Sequence, residues 1–560
     1  MTIRRLLVAG IMIASASLLI HIADGTRVSA DEFDGDEQTM LPVAAVQNDS
    51  SRTIASENEV PNDNVDIDQW VNDMFGAAAA NLSAVVFYEV EVGGVRFTLV
   101  IVWLIVAAVF FTASFRFVNI WGLPQGLRIV QGDYSNSDAP GEISHFQALC
   151  TALSGTVGIG NIGAMAYAIA YGGPGVLFWL IVAGFFGMTT KFVECTLGVK
   201  YRRQNADGSV SGGPMYFLER GFAERGMMRI GKFLGGFYAT GMVVGCLGVG
   251  NMFQSNQAYS QFVVVTGGPN SFFVDKGWLF GLITALVLGL VIIGGIKSIA
   301  KVTSKLVPLM AVLYCVFAVI IIVMNIQYVP TAILWVFRDA FHPRAVGGGM
   351  VGIIMIGFQR ALFSNEAGLG SASVAHSAVK TQHPVTEGLV ATIGPFLDTI
   401  VICSLTSMCI ITSMVAVSDF QSTIPGGGEN LAMGIQLTSA AFERNISWSP
   451  YLIAVAAMLF ALSTMISWSY YGAKAWTYLV GEGTAKTNVF NFVFCVFAAL
   501  GCMVQLGPVI EISDALIYLI CVPNIIGLYV LGPAVKRDLD DYFDAVRNGE
   551  ITGSHTKKNH

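Results

Sequence analysis

Long apolar runs alternate with short polar stretches from about residue 97 to residue 533, and they set the pattern of the chain. A helix needs about 20 such residues to cross the hydrocarbon core of a bilayer. Eleven runs meet that need, over roughly 97–117, 146–171, 175–199, 234–264, 277–296, 305–328, 347–364, 386–416, 451–471, 487–506 and 512–533. Lipid offers no partner for an unpaired backbone amide, so runs of this kind predict helices. The expected fold class is an all-α polytopic membrane protein of about 11 transmembrane helices.

Composition narrows the function. The chain is 54% hydrophobic and 12% charged, about half the charge of a typical soluble domain. Its mean hydropathy is +0.63. A net charge of −7 gives no broad basic surface for nucleic acid. The nine cysteines lie mostly in apolar runs without a CxxC pair, and read as buried apolar residues rather than a metal or disulfide framework. An intramembrane enzyme would carry a motif such as HExxH or GxSxG in its spans, and neither is present.

The ends differ from the middle. Residues 1–30 read as a signal peptide, with Arg4 and Arg5 before an apolar stretch and Val28-Ser29-Ala30 as a cleavage candidate; an uncleaved first helix is the alternative. Residues 31–75 form an acidic segment read as exported and disordered, with Arg52 as its one base up to Asp73. The transporter-like region is placed at 76–535 and a polar cytoplasmic tail at 536–560. Bases gather on alternate loops: Lys200, Arg202, Arg203, Arg220, Arg225, Arg229 and Lys232 fall on one side, with Lys380, Lys474, Lys486, Lys536 and Arg537. The positive-inside tendency then puts the amino end outside and the carboxyl end in the cytoplasm of an inner-membrane, multi-pass protein.

Two spans are poor continuous helices. The second carries Gly155, Gly158, Gly160 and Gly163 near its midpoint, with Ser154, Thr156 and Asn161 among them. Each glycine costs about 1 kcal/mol of helix propensity. Close helix packing explains the glycines alone, whereas a mid-membrane Asn beside them favours an opened backbone. Gly158–Gly163 also matches GxGxxG, but no strand precedes it and no acid follows about 20 residues on, so a dinucleotide site is rejected. The seventh span has Gly347, Gly348, Gly349, Gly352 and Gly357 before Arg360 and Glu366. Interrupted spans at matching places in two five-span halves predict an inverted-repeat transporter.

An opened helix exposes amides that suit a carboxylate and carbonyls that suit a cation. The amides of Ile159, Gly160 and Asn161 are the expected carboxylate donors, and the carbonyls of Ser154 and Val157 the expected sodium ligands. Ser463 and Thr464 offer adjacent hydroxyls for the same ion, unless each bonds its own preceding turn. Gln254 is either a substrate contact or helix-to-helix glue. Arg360 and Glu366 read as a gate pair and Lys191 with Glu194 as an interfacial pair; Asp398 is left open between anchoring and proton relay.

At these residues the chain resembles the alanine/glycine:cation symporter family. The likeness runs over about residues 70–540, through Glu142-Ile-Ser-His-Phe-Gln-Ala-Leu149, Gly158-Ile-Gly-Asn-Ile162, Gly172-Gly-Pro-Gly175, Thr190-Lys-Phe-Val-Glu194, Gly212-Gly-Pro-Met-Tyr216, Phe363-Ser-Asn-Glu-Ala-Gly-Leu-Gly370 and Trp468-Ser-Tyr-Tyr-Gly472. The resemblance implies a leucine-transporter-like five-plus-five inverted repeat with one extra amino-terminal span. It implies alternating-access uptake of alanine or glycine with a co-transported sodium ion; proton coupling, or an amino-acid sensor on this scaffold, is the alternative. It also implies Ile159, Gly160, Asn161 and Gln254 as substrate contacts and the segment of Ser463 and Thr464 at sodium. Two positions depart from the family pattern. Ile159 stands where Thr is common, and Ile356-Gly357 where Trp-Gly is common, which makes Ile356 and Gly357 pocket candidates.

Overall fold

Helices occupy each of the eleven apolar runs in the computed structural model, which describes residues 81–92, 95–134, 139–342, 349–416, 434–503 and 507–551. The expected signal peptide (1–30) and acidic segment (31–75) lie outside the described residues. The helices that matter below are α1 (Leu99–Ser114), α2 (His145–Thr156), α3 (Met165–Gly172), α4 (Val176–Lys200), α5 (Met228–Leu247), α6 (Phe253–Val265) and α7 (Gly295–Met324). They continue with α8 (Gly349–Asn365), α9 (Ser371–His376), α10 (Pro384–Ala391), α11 (Ser404–Ala416), α12 (Ser449–Val480), α13 (Thr484–Gly501) and α14 (Gly507–Arg547). Among the described residues, seven helices are long and apolar enough to cross a membrane, or up to nine if each of two bent pairs counts as one span.

One of those pairs is the second span: α2 and the stretch Gly160–Gly172 meet at 53°. Ser144 starts α2 with a capping box, its hydroxyl accepting from the Gln147 amide while the Gln147 side chain accepts from the Ser144 amide. The seventh span also breaks, but not where its glycines suggested. Gly352 and Gly357 lie inside unbroken α8, and the opening falls at Glu366–Gly370, before α9. There Glu366, Gly368 and Gly370 have φ of +56°, +99° and +79°. Helical glycines serve close packing, and it is the left-handed backbone that ends the helix.

Helix α4 packs against α8, α9 and α10, whereas α12 packs against α5, α6 and α7. The span α2–α3 runs between these groups, with α2 touching α7, α9 and α12. Wide π turns occur at Gly160–Ala164, Gly248–Met252 and Phe396–Cys403. Such turns inside α-helices often mark functional sites, and these three converge on the opened second span.

At one end, the entrance of α2 is sewn to the exit of α9. Ile143 and Val379 form a single parallel β-bridge, the Glu142 amide donates to the Ala378 carbonyl at 2.7 Å, and the Lys380 amide donates to the Ile143 carbonyl at 2.8 Å. Arg202 follows α4 and spans the seam, donating to the carbonyls of Ser377 (2.8 Å), Val379 (2.5 Å), Pro140 (2.6 Å) and Thr381 (2.9 Å). Burial lowers its guanidinium pKa, and the Glu387 carboxylate opposes that shift. Glu387 of α10 in turn joins the Nδ1 atoms of His145 and His376, one on each carboxylate oxygen. His376 is thus a partner of Glu387. Further along, α14 stays helical past residue 535 to Arg547, and Lys200 pairs with Asp538 at 2.7 Å.

Candidate functional site

Helical bonding pauses after Val157, whose amide still reaches the Leu153 carbonyl at 2.7 Å. The Gly158 amide is taken by the Asn161 side-chain oxygen at 3.0 Å, and the Asn161 amide turns back to the Gly158 carbonyl at 3.1 Å. The Ile159 amide reaches Gln254 Oε1 across 3.4 Å, a weak contact. Gln254 is fixed by its own Nε2, which donates to the Val249 carbonyl at 3.1 Å. The second span is therefore open at its middle, and side chains from other spans meet its backbone.

The opposing face belongs to α12. Ser463 and Ser467 are four apart, as are Thr464 and Trp468, so each pair shares a stripe of the helix. Ser154 Oγ donates to the Ser463 carbonyl at 2.6 Å, Ser467 Oγ to the Thr151 carbonyl at 2.7 Å, and Trp468 Nε1 to the Gly155 carbonyl at 3.2 Å. Ser463 Oγ donates to its own-turn carbonyl at Phe460, 2.9 Å away, and comes within 3.5 Å of the Ser154 carbonyl. Thr464 Oγ1 is buried and has no hydrogen-bond partner among the described residues. It lies against Gly158, where an added Cβ would stand 2.6 Å from it. A hydroxyl left unpaired in a dry interior is costly unless something meets it. Of the three expected hydroxyls, those of Ser154 and Ser463 donate to carbonyls, and that of Thr464 alone stays unpaired among the described residues.

A third element closes the site. Asp398, fully buried in the eighth span, accepts from Asn161 Nδ2, from Ser364 Oγ at 2.5 Å and from Thr399 Oγ1 at 3.0 Å. One carboxylate therefore ties the opened second span to the last turn of α8. Between them lies a small cavity lined by Gly158, Gly160, Gln254, Phe363, Glu366 and Trp468, among others. The Phe363 ring sits against Gly160, 3.0 Å from where a Cβ would be.

The structure brings most of the expected residues together: Ser154, Val157, Ile159, Gly160, Asn161, Gln254, Ser463 and Thr464 surround the opening or its immediate flank. The Asn161 amide, however, is spent within the loop. Ile356 and Gly357 lie elsewhere. Ile356 Cδ1 packs over Gly172, and a Cβ on Gly357 would stand 2.6 Å from Trp179 Cβ, so both face the α3–α4 side and neither lines the cavity. Phe363 and Trp468 carried no expected role, whereas Asp398, left open between anchoring and proton relay, anchors the network of Asn161, Ser364 and Thr399. The i, i+4 hydroxyl and indole stripe of α12 was the available signal for Trp468. Arg360 lies over the Tyr167 ring at 5.2 Å instead of pairing with Glu366. Lys191 and Glu194 are both buried without an ion pair between them; Glu194 Oε1 accepts from the Gly368 amide (2.8 Å) and Asn524 Nδ2 (2.7 Å).

The sequence profile of the sodium:alanine symporter family matches residues 84–556. The chain belongs to that family. It is 38% identical over 451 residues to the sodium/alanine symporter AgcS of Methanococcus maripaludis, covering 80% of this chain and 95% of the relative. It is 33% identical over 448 residues to GlnT of Bacillus subtilis, described as a probable sodium/glutamine symporter, covering 79% and 87%. Its fold is similar to that of the MhsT crystal structure in complex with L-phenylalanine, with a TM-score of 0.51 at 14% identity over 70% of this chain and 88% of that one. Membership in the sodium:alanine symporter family makes this chain a multi-pass membrane transporter and not an enzyme. Its fold is the leucine-transporter-like one.

Proposed function

We propose that this chain imports alanine or glycine together with sodium by alternating access, with the amino end outside and the carboxyl end in the cytoplasm. The observation that carries the reading is the opened second span facing the unpaired Thr464 hydroxyl. The backbone around Ile159 and Gly160 supplies amides for the substrate carboxylate, and Gln254 flanks them. Ser154, Val157, Ser463 and Thr464 supply oxygens for sodium beside it. The cavity wall of Val249, Phe363, Leu369, Trp468 and Ile517 is apolar and close, which suits a hydrogen or a methyl side chain. The 38% identical relative is titled a sodium/alanine symporter, which agrees.

Sodium binding adjacent to the substrate couples the two if the ion stabilises the substrate-competent geometry. A membrane potential contributes about 2.3 kcal/mol per charge per 100 mV, so one ion supports substantial accumulation of a zwitterion. The test is uptake of labelled alanine and glycine into proteoliposomes under a sodium, lithium or proton gradient. Uptake under sodium alone is expected, and equal uptake under all three gradients refutes the sodium assignment.

A further inference from the structure

Glu366 meets only neutral side-chain donors, Ser371 and Trp468. It lies in the opened stretch between α8 and α9, is 3% exposed, and lines the cavity beside Gly158 and Gly160. Its backbone is left-handed at φ +56°. Three other described non-glycine residues share a positive φ: Arg116 and Phe117 are exposed and Tyr134 is partly so. Only Glu366 of the four is buried at the level of the site. Such a conformation is strained for a residue with a side chain and collects at ligand sites.

The carboxylate is also short of charge compensation. Ser371 Oγ bonds one of its oxygens. Among the described residues no Lys, Arg or His forms an ion pair with it within 4.0 Å. Arg360 lies over Tyr167, and the buried Lys191 acts on Glu366 only through space, shared with Glu194 and without an ion pair to either. A carboxylate inside a membrane protein is expensive without a counter-charge, and it marks a substrate or ion path.

We propose that Glu366 binds the ammonium group of the transported amino acid. This assignment rests on the transport reading above and deepens it. Across one cavity the charges then alternate: sodium at Thr464, the substrate carboxylate at the opened amides, the substrate ammonium, and Glu366. These four charges cancel among themselves, and the left-handed turn brings the last of them to the cavity. The site thereby selects amino acids over simple carboxylates of the same size.

The experiment measures competition against labelled alanine on purified protein in sodium, for the wild type, Glu366→Gln and Glu366→Asp. Gln keeps the size and an acceptor for Ser371. Loss of a charge-assisted contact is expected to weaken alanine binding about 20-fold or more in Glu366→Gln, with partial retention in Glu366→Asp. In the wild type, propionate is expected to compete about 100-fold worse than alanine, and Glu366→Gln narrows that gap. Sodium-induced tryptophan fluorescence, measured without amino acid, stays as in the wild type. Glu366→Gln binding within about threefold of wild type overturns the assignment. So does propionate competing as well as alanine in the wild type, or a lost sodium response in the variant, which would mark a merely structural role. Wild-type protein that takes up no amino acid refutes the transport reading instead, so the two failures are distinguishable.

Discussion

Replacing Gly158 by Ala tests the junction between the substrate and sodium ends of the site. The new Cβ would stand 2.6 Å from Thr464 Oγ1 and 3.4 Å from Gln254 Oε1. The first distance is roughly 0.8 Å short of ordinary contact. Thr464 cannot yield gradually, because a β-branched side chain in a helix has few χ1 states. Its relief is to rotate the hydroxyl back towards the preceding turn, which withdraws it from the proposed ion. Overpacking of this kind costs about 1–3 kcal/mol, and about 1.4 kcal/mol is tenfold in affinity. The sodium concentration for half-maximal amino-acid uptake in proteoliposomes should therefore rise about 10- to 100-fold. Thr464→Ala should raise it on its own, and adding Gly158→Ala to Thr464→Ala should do little more, since the clash is gone. Gly236→Ala is the control: its Cβ meets nothing within 4 Å, and removing a mid-helix glycine should leave stability equal or about 0.5–1 kcal/mol higher. A Gly158→Ala sodium curve superimposable on wild type would refute the arrangement.

Two further perturbations probe the supports of the site. Asp398→Asn sets an amide donor against the donors of Asn161, Ser364 and Thr399, at a cost of about 1–3 kcal/mol. Substrate KM should rise by about five- to 100-fold, and unchanged uptake kinetics would remove the tie between the opened spans. Arg202→Ala strips four carbonyls of one charged donor and should destabilise the protein by about 2–5 kcal/mol, read as a lower apparent Tm in detergent; an unchanged Tm would contradict the seam.

Much of the architecture could be read from hydropathy, because spans are chosen by length against a fixed bilayer thickness. The runs at 175–199 and 451–471 are the cores of α4 and α12. The second span's break was legible because Asn161 among glycines has no use on a packed apolar helix. The seventh span misled because glycine has two uses. Gly357 gives room to Trp179, a packing role, whereas the opening depends on Glu366-Ala-Gly368-Leu-Gly370, where φ is positive. Two glycines two residues apart after an acid were the better signal. Asp398 could not be placed, since its partner Asn161 is 237 residues away in sequence and no local pattern encodes that meeting.

The seam between residues 140–143 and 377–381 limits how this molecule can work. If the first half of the second span swung out alone, like a flap, it would shed the β-bridge, the Arg202 bonds and the shared Glu387 in one motion. A motion that keeps the seam must carry α2, α9 and α10 together, and it then loosens the Ser154, Ser467 and Trp468 bonds between α2 and α12 instead. A disulfide joining Ile143→Cys to Val379→Cys should then leave uptake near that of the reduced protein, whereas a flap would be frozen by it.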